Sequence, residues 1–183
     1  MYQRITAIQS LDGMQAAFNA GSTEAKAAFQ SSVSGGGSGG VSALSIAALK
    51  AIDVSTLTNN QVVKVNGYYA SGDGGGGFYL YSSGSSSTDD GGAVIRPTTG
   101  AGRYLRIFDE ADRFSVRWWG AKGDYNGSTG TDDSVAVAAC VTYAKNNKKN
   151  GININWVYFP EGYYYTRVPA VNYIDVAFEG AGI

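Results

Sequence analysis

Carboxylate side chains beside glycines are the first candidates for chemistry in this chain. Asp73 precedes four consecutive glycines, and Asp89 and Asp90 precede two more. The glycine run after Asp73 lacks the Gly-Lys-Ser/Thr ending of a phosphate-binding loop and leads into a strand, so no helix N-terminus is available to hold an anion. The spacing of the three aspartates also matches no calcium-binding loop. We therefore predict that they stabilise turns, in which Asp side chains accept hydrogen bonds from nearby backbone N–H groups.

A second candidate is the adjacent pair Asp132 and Asp133. A glycosidase needs two carboxyl groups roughly 5–10 Å apart across the sugar. Neighbouring residues on a helix point about 100° apart, which suits that geometry poorly. We instead predict a helix cap, with Thr131 as the N-cap and the two carboxylates close to the positive end of the helix dipole. No catalytic residue is therefore assigned.

The remaining side chains that could do chemistry are few. The chain has no histidine, which excludes a His-dependent triad and an imidazole metal site within it. Its single cysteine, Cys140, is predicted to be a small buried apolar residue instead of a reactive thiol. No metal or cofactor is predicted. Glu161, Arg167 and the tyrosines at 163–165 could face a saccharide, but packing is the preferred interpretation for tyrosines in a strand.

Composition predicts a mainly β protein. Among 183 residues are 26 glycines and 13 tyrosines but only 3 prolines, which favours short strands joined by tight turns. The net charge of −1 is spread evenly along the chain, so no nucleic-acid partner is predicted. No apolar stretch has the length of a signal peptide or a membrane span, so no membrane insertion is predicted.

The N-terminal part is predicted to be helical and to need a partner. Apolar residues recur at helical spacing over residues 1–34, and a Gly/Ser linker follows at 35–41. Two short amphipathic helices without a core of their own are marginal in water. We expect them to pack on copies of themselves or on another protein. The residues predicted to contribute to these contacts are Ile5, Ile8, Leu11, Phe18, Phe29 and Val33.

A small antiparallel β domain is predicted over residues 42–113. Ser42 is expected to cap a short helix that carries Leu44, Ala48 and Ile52 on one side. Alternation in the last strand places Tyr104 and Arg106 on one face, the pattern of a half-buried strand. The predicted strands of this domain cover residues 61–65, 78–81, 93–96 and 103–108.

The last part, residues 114–183, is predicted to begin a parallel solenoid. A helix at about 132–147, with Val135, Ala138, Ala139 and Thr142 on one face, follows a glycine-rich loop. Short strands predicted at 153–159, 163–168 and 174–178 are spaced as in the first coil of such a fold. The helix would cover the open end of the solenoid and hide unpaired strand edges.

Four segments carry a family resemblance. The motifs at residues 120–124, 131–133, 157–163 and 178–182 together resemble the opening of a pectate-lyase-like right-handed parallel β-helix. The best-known carriers of such an opening are bacteriophage tailspikes and tail fibres. Residues 43–112 are similar to the module that precedes the β-helix in many tailspikes. Two departures are the six residues between Asp124 and Thr131, where a shorter link is usual, and Glu161, where a second proline is common.

The resemblance implies an α+β, mainly β fold: N-terminal helices, a small antiparallel β domain, a capping helix and the first coil of a right-handed parallel β-helix, assembled as a homotrimer. It implies a structural virion protein, made in the host cytoplasm, whose N-terminus meets the phage tail or baseplate. Host surface polysaccharide would be bound by a region downstream of Ile183. Two alternatives stay open: a polysaccharide lyase or glycoside hydrolase with its catalytic region downstream of Ile183, and a stand-alone tail adaptor that docks another spike.

Overall fold

The computed structural model describes residues 41–108, 113–147, 155–167 and 176–181. The elements below belong to one compact unit formed by residues 40–107 and 113–183. The helices predicted over residues 1–34 lie outside the described residues. So does the predicted linker at 35–41, except for Val41, which begins the first strand.

The first region is a five-stranded sheet. Its strands are β1 (Val41–Ala43), β2 (Val62–Val65), β3 (Gly77–Ser82), β4 (Val94–Ile95) and β5 (Arg103–Arg106). They lie in the order β1-β2-β3-β5-β4. The pairs β2–β3, β3–β5 and β4–β5 are antiparallel, whereas β1 runs parallel to β2. The antiparallel sheet was predicted, and the parallel edge strand β1 was not.

Helix α1 (Ile46–Lys50) follows β1. Its N-cap is Ser45, whose side chain accepts a hydrogen bond from the Ala48 backbone N–H at 3.2 Å. The prediction that Ser42 caps this helix is therefore wrong, because Ser42 lies in β1 opposite Lys64. Only Ala43 and Leu44 separate the two serines, and the pairing of Ser42 with β2 is what identifies it as part of a strand.

The hydrophobic core of this region is formed by side chains of the sheet and of helix α1. A short 3₁₀-helix (Val54–Thr56) and helix α1 border it. Leu44, predicted on the apolar side of α1, is 68% exposed instead. The fully buried side chains of the cluster are Leu49, Val63, Tyr79, Ile95 and Tyr104.

Strand β5 differs from its predicted half-buried pattern. Tyr104, Leu105 and Arg106 are all buried, although Tyr104 and Leu105 point to opposite faces. The strand lies between β3 and β4 and is covered on both faces. Alternation in the sequence cannot show this, because an arginine reads as a solvent-facing residue.

The second region is a parallel sheet with one long helix. It contains β6 (Phe114–Ser115), a 3₁₀-helix (Val116–Trp119), α2 (Ser134–Asn146), β7 (Asn155–Phe159) and β8 (Val176–Gly180). The three strands are paired in the order β6-β7-β8, and both pairs are parallel. Parallel strands in chain order are what a solenoid coil requires.

A second line of parallel pairing runs beside that sheet. Asp124 pairs with Tyr163 and Asp132 pairs with Tyr165 as isolated parallel bridges. A continuous strand was predicted at 163–168, and the described part of that segment forms these two bridges instead. On the partner side, the loop between Asp124 and Asp132 separates the two bridges.

Helix α2 is close to its predicted extent, but it buries a different face. Val137, Cys140, Val141 and Ala144 are its buried residues, whereas Val135, on the predicted face, is 83% exposed. Valine, alanine and cysteine are spread around this helix, so the sequence pattern cannot distinguish the two faces. The helix packs against β6, β7, β8 and the second 3₁₀-helix.

Cys140 is completely buried, as predicted. Its Sγ donates to the carbonyl oxygen of Phe114 in β6 at 3.4 Å. Burial raises the pKa of this thiol well above its ordinary value. Neither α2 nor any other described helix combines the length and apolar character needed to cross a bilayer.

Candidate functional site

Arg117 connects the two β regions. It lies in the 3₁₀-helix that follows β6, and its guanidinium donates three hydrogen bonds. Nη1 donates to the backbone oxygen of Asp73 at 2.9 Å, in the turn before β3. Nη2 donates to the backbone oxygen of Glu161 at 2.7 Å, and Nε donates to the Tyr164 hydroxyl at 3.2 Å. One side chain thus ties the first sheet to the segment after β7, and we call this contact region the joint.

The turn that Arg117 binds is held by the carboxylate of Asp73. Its Oδ1 accepts from the backbone N–H groups of Tyr68 and Gly75, both at 2.8 Å. Its Oδ2 accepts from those of Tyr69 at 2.7 Å and Ala70 at 3.0 Å. Burial alone would raise the pKa of Asp73, but these four hydrogen bonds outweigh it and lower the pKa. The prediction that Asp73 stabilises a turn is confirmed.

Asp89 and Asp90 also serve a turn, as predicted. Asp90 Oδ1 accepts from the backbone N–H groups of three successive residues, 92–94, at 2.8–2.9 Å. Asp89 accepts from the Gly91 and Arg96 backbones and from Lys50 Nζ at 3.1 Å. Burial raises the pKa of Asp90. For Asp89, burial is outweighed by these donors, and its pKa is lowered.

A buried arginine, Arg106, supports the joint from the sheet side. It is 4% exposed and donates to the backbone oxygens of Gly75 and Gly76 and to the Tyr79 hydroxyl. Its guanidinium carbon lies 4.4 Å from the ring centroid of Trp118, in the 3₁₀-helix beside Arg117. A planar cation over an indole face is a favourable contact, and burial strengthens it. Arg106 therefore joins β5 to the second region through an aromatic ring.

Glycines let aromatic rings approach the backbone at the joint. Gly120 ends the 3₁₀-helix with φ +93°, and a Cβ there would lie 2.6 Å from the Tyr68 ring. Its carbonyl oxygen accepts from the Tyr69 hydroxyl at 2.9 Å. A Cβ on Gly92 would similarly lie 2.6 Å from the Trp119 ring. These positions accept glycine only, because a side chain would displace the rings.

The predicted N-cap at Thr131 is wrong. Helix α2 begins one residue after Asp133, which occupies the N-cap position without capping the helix through its side chain. The Thr131 N–H and hydroxyl both donate to the Asp124 carboxylate, at 2.7 and 2.9 Å. These bonds lower the pKa of Asp124. Thr131 closes the loop after Asp124, a long-range role that the local N-cap pattern does not indicate.

The two carboxylates beside Thr131 have different environments. Asp133 is 2% exposed, and its oxygens accept from the backbone N–H groups of Lys122 at 2.7 Å and Gly123 at 3.0 Å. Asp132 accepts from the Ser134 N–H at 3.0 Å, which lowers its pKa, and pairs with Arg167 at 3.5 Å. Both carboxylate oxygens of Asp133 are therefore occupied by backbone hydrogen bonds. Both carboxylates of the pair therefore have structural partners, which are backbone N–H groups for Asp133 and a backbone N–H group and Arg167 for Asp132.

The tyrosines at 163–165 divide into one packed and two exposed side chains. Tyr164 accepts from Arg117 and donates to the Pro160 carbonyl oxygen at 3.0 Å. Tyr163 is 71% exposed and Tyr165 is 37% exposed, although Tyr165 stacks on Tyr125 with 5.3 Å between ring centroids. The packing interpretation therefore fits Tyr164 and does not fit Tyr163.

Within the described ranges, no group of three or more His, Cys, Asp or Glu side chains is arranged to hold a metal ion. The predicted attachment residues, Ile5, Ile8, Leu11, Phe18, Phe29 and Val33, lie outside those ranges.

Sequence reasoning missed Arg106 and Arg117 as joint residues. The available signal was local: each arginine stands between apolar residues, Leu105 and Ile107 in one case, Val116 and Trp118 in the other. An arginine inside an apolar run must have buried partners, because an unpaired buried cation is costly. The sequence does not say which carbonyl oxygens those partners are.

Comparison with known proteins places this architecture. Residues 42–109 match the family described as the phage tail protein small four-stranded β-sheet domain. No curated protein sequence matches the chain significantly.

Solved structures extend the similarity beyond that domain. The tailspike gp49 of the Acinetobacter baumannii bacteriophage Fri1, described as a capsular polysaccharide depolymerase, is 27% identical, with a TM-score of 0.62. The alignment covers 77% of this chain and 23% of gp49. The enzymatically active domain of tailspike protein 2 from bacteriophage CBA120 is 21% identical, with a TM-score of 0.57, over 86% of this chain and 20% of that one.

A bacterial enzyme shares the fold as well. WceF of Pantoea stewartii, a glycan biofilm modifying enzyme with a tailspike-like parallel β-helix fold, is 22% identical over 66% of this chain and 16% of WceF, with a TM-score of 0.51. The chain thus spans about a quarter or less of the length of these structures. The β-sheet domain, the parallel strands that follow it and these similarities agree with the resemblance seen in the sequence. Residues 42–109 thus match a phage tail protein domain, and the chain as a whole is similar to bacteriophage tailspike proteins.

Proposed function

We propose that this chain is the attachment and neck part of a homotrimeric tailspike, and that it connects a polysaccharide-recognising β-helix to the phage tail. In this proposal residues 1–34 bind the tail or baseplate, with 35–41 as linker. Residues 42–113 form the neck, and the β-helix begins at 114. The protein is assembled in the host cytoplasm and acts in the virion.

The observation that carries the proposal is the joint. Arg117 holds the Asp73 turn and the Glu161 backbone at once, and Arg106 lies against Trp118. A protein that transmits position from a tail to a receptor-binding tip needs such a fixed connection between consecutive regions. The carboxylates of Asp73 and Asp133 accept hydrogen bonds from backbone N–H groups, which is a structural role.

Deletion of residues 1–34 in the phage tests the attachment role. We expect particles that lack the spike, together with free spike that still binds host polysaccharide. Retention of the shortened spike on the particle would contradict the proposal. The mass of the polypeptide in the particle adds a separate result. A mass far above 19.1 kDa indicates a longer spike, whereas a mass near it supports the stand-alone adaptor.

A second candidate is polysaccharide depolymerase activity, as a lyase or glycoside hydrolase, in a region after residue 183. The tailspike gp49, described as a capsular polysaccharide depolymerase, supports it through its 27% identity. Release of reducing ends from capsular polysaccharide by the spike isolated from particles, and none by residues 1–183, is the expected result. Activity of residues 1–183 alone would instead place a catalytic site within them.

A further inference from the structure

A cleft of about 320 Å³ opens beside the joint. Pockets that hold small ligands have volumes of roughly 300–1,000 Å³ and combine apolar walls with a few polar groups. The side chains that line it include Tyr68, Tyr69, Arg117, Ala121, Lys122 and Asp124. Arg117 lines this cleft, and its hydrogen bonds to Asp73, Glu161 and Tyr164 are made by protein groups alone.

Tyr69 gives the cleft a fixed aromatic surface. Its hydroxyl donates to the Gly120 carbonyl oxygen, and its ring meets the Tyr68 ring edge to face at 4.7 Å between centroids. The side chain is nevertheless 55% exposed. An aromatic ring that is held in place and still exposed can bind a ligand without losing side-chain freedom on binding.

Lys122 gives the cleft a cation that is available to a ligand. Its backbone N–H is fixed by Asp133, and its Nζ lies 5.0 Å from the Tyr69 ring centroid. Among the described residues, no carboxylate lies within ion-pair distance of this ammonium. The other charged groups of the cleft have hydrogen-bond partners: Arg117 donates to three acceptors, Asp73 accepts from four backbone N–H groups, and Asp124 accepts from Thr131. Lys122 is close enough to Asp124 to help lower the pKa of that carboxylate.

We propose that this cleft binds an acidic saccharide unit, with the sugar ring stacked on Tyr69 and the sugar carboxylate paired with Lys122. The apolar C–H face of a pyranose ring complements the negative face of an aromatic ring. A uronate adds the anion that Lys122 lacks. The ligand class rests on the proposed function, that the spike meets host polysaccharide, whereas the site itself rests on the cleft geometry.

The test uses trigalacturonate and its fully methyl-esterified form, which have the same rings and differ in charge. Binding to the full chain is measured by isothermal titration calorimetry and by saturation-transfer NMR. We expect the charged trisaccharide to bind about three- to fivefold more tightly, the range of an exposed ion pair. Lys122→Met removes that difference and leaves affinity for the ester unchanged. Lys64→Met, an exposed lysine in β2, is the matched control and changes neither affinity.

Tyr69 variants test the stacking surface. Tyr69→Ala lowers the affinity for both trisaccharides about tenfold, whereas Tyr69→Phe, which keeps the ring but loses the hydroxyl bond to Gly120, lowers it less. If Tyr69→Ala does not fold, the Lys122→Met result decides. The proposal is overturned by absence of binding, by equal affinity for both forms, or by equal effects of Lys122→Met and Lys64→Met. None of these results would restore a spike to particles of the 1–34 deletion, so the attachment role is judged separately.

Discussion

Arg106 and Trp118 are in contact across the two β regions, with the guanidinium carbon 4.4 Å from the indole ring centroid. The arginine belongs to β5 of the first sheet, and the tryptophan belongs to the 3₁₀-helix after β6. Because the residue before Trp118, Arg117, holds the turn before β3, the 3₁₀-helix is bound to the first sheet at two adjacent positions. Stability of the first sheet and orientation of the second region should therefore change together.

Replacement of Arg117 tests this coupling. Hydrogen bonds from a charged group contribute about 1.5–3 kcal/mol each, so we expect Arg117→Ala to lower the free energy of unfolding by about 2–4 kcal/mol. Arg117→Lys should recover only part of that loss, since an ammonium cannot reach three separated acceptors in the geometry of a guanidinium. Urea denaturation measures both. Arg167→Ala, which removes an exposed ion pair, is the control and should cost under about 1 kcal/mol.

Two glycines with the same backbone angle separate strain from packing. Gly120 has φ +93° and Gly127 has φ +94°, but a Cβ would meet the Tyr68 ring only at Gly120. Both alanine variants should lose about 1–2 kcal/mol to left-handed backbone strain. Gly120→Ala should lose about 1–3 kcal/mol more from overpacking. Equal melting temperatures for the two variants would show that Tyr68 does not press on the joint.

The two aspartate turns predict different stabilities for the Asp73→Asn and Asp90→Asn variants. Asp73 uses both carboxylate oxygens, so Asp73→Asn places an amide N–H against backbone donors and should cost about 1–3 kcal/mol. Asp90 receives its three donors on Oδ1 alone, so Asp90→Asn can retain them and should be close to neutral. Chemical denaturation at pH 7 compares the two. A larger loss for Asp90→Asn would contradict the hydrogen-bond assignment.

The pKa directions of the same residues predict the pH dependence of stability. The folded-state pKa of Asp73 is lowered, so its contribution is fully present above the unfolded pKa of about 3.9 and is lost as the pH falls through the folded value. The folded-state pKa of Asp90 is raised, so Asp90 stabilises the fold below its unfolded pKa. That stabilisation is lost as the pH rises through the folded-state pKa. Asp73→Asn should therefore flatten the acid limb of the stability curve. Asp90→Asn should steepen it.

Cys140 should be inert in the folded protein. Its thiol is buried, and its pKa is raised by that burial, so the thiolate needed for alkylation is scarce. We expect iodoacetamide at pH 8 to modify the chain only after unfolding in urea, as measured by intact mass. Rapid modification under native conditions would show that α2 separates from β6.

The sequence predicts the elements of this fold better than their faces. The β-rich composition, helix α2, most strands and the aspartate turns follow from local patterns of glycine, β-branched residues and Asp. The buried face of α2 does not, because small apolar residues surround that helix. Thr131 illustrates the same limit: its N-cap pattern is local, but its partner is Asp124, seven residues earlier.

The joint is less predictable still. Arg106 and Arg117 bind backbone carbonyl oxygens, and every residue of the chain has such an oxygen. No residue type in the sequence marks Gly75 or Glu161 as an acceptor. Only the tertiary arrangement brings those oxygens to the guanidinium groups.

The parallel order β6-β7-β8 separates the joint from the free edge of the second sheet. The hydrogen-bond partners of Arg117 are Asp73, Glu161 and Tyr164, and all three precede β8 in the chain. Within the described residues β8 pairs with β7 alone, and its other edge can accept any strand that runs in the same direction. Replacement of the strand that pairs with this edge would therefore leave the contacts of Arg117 and Arg106 unchanged.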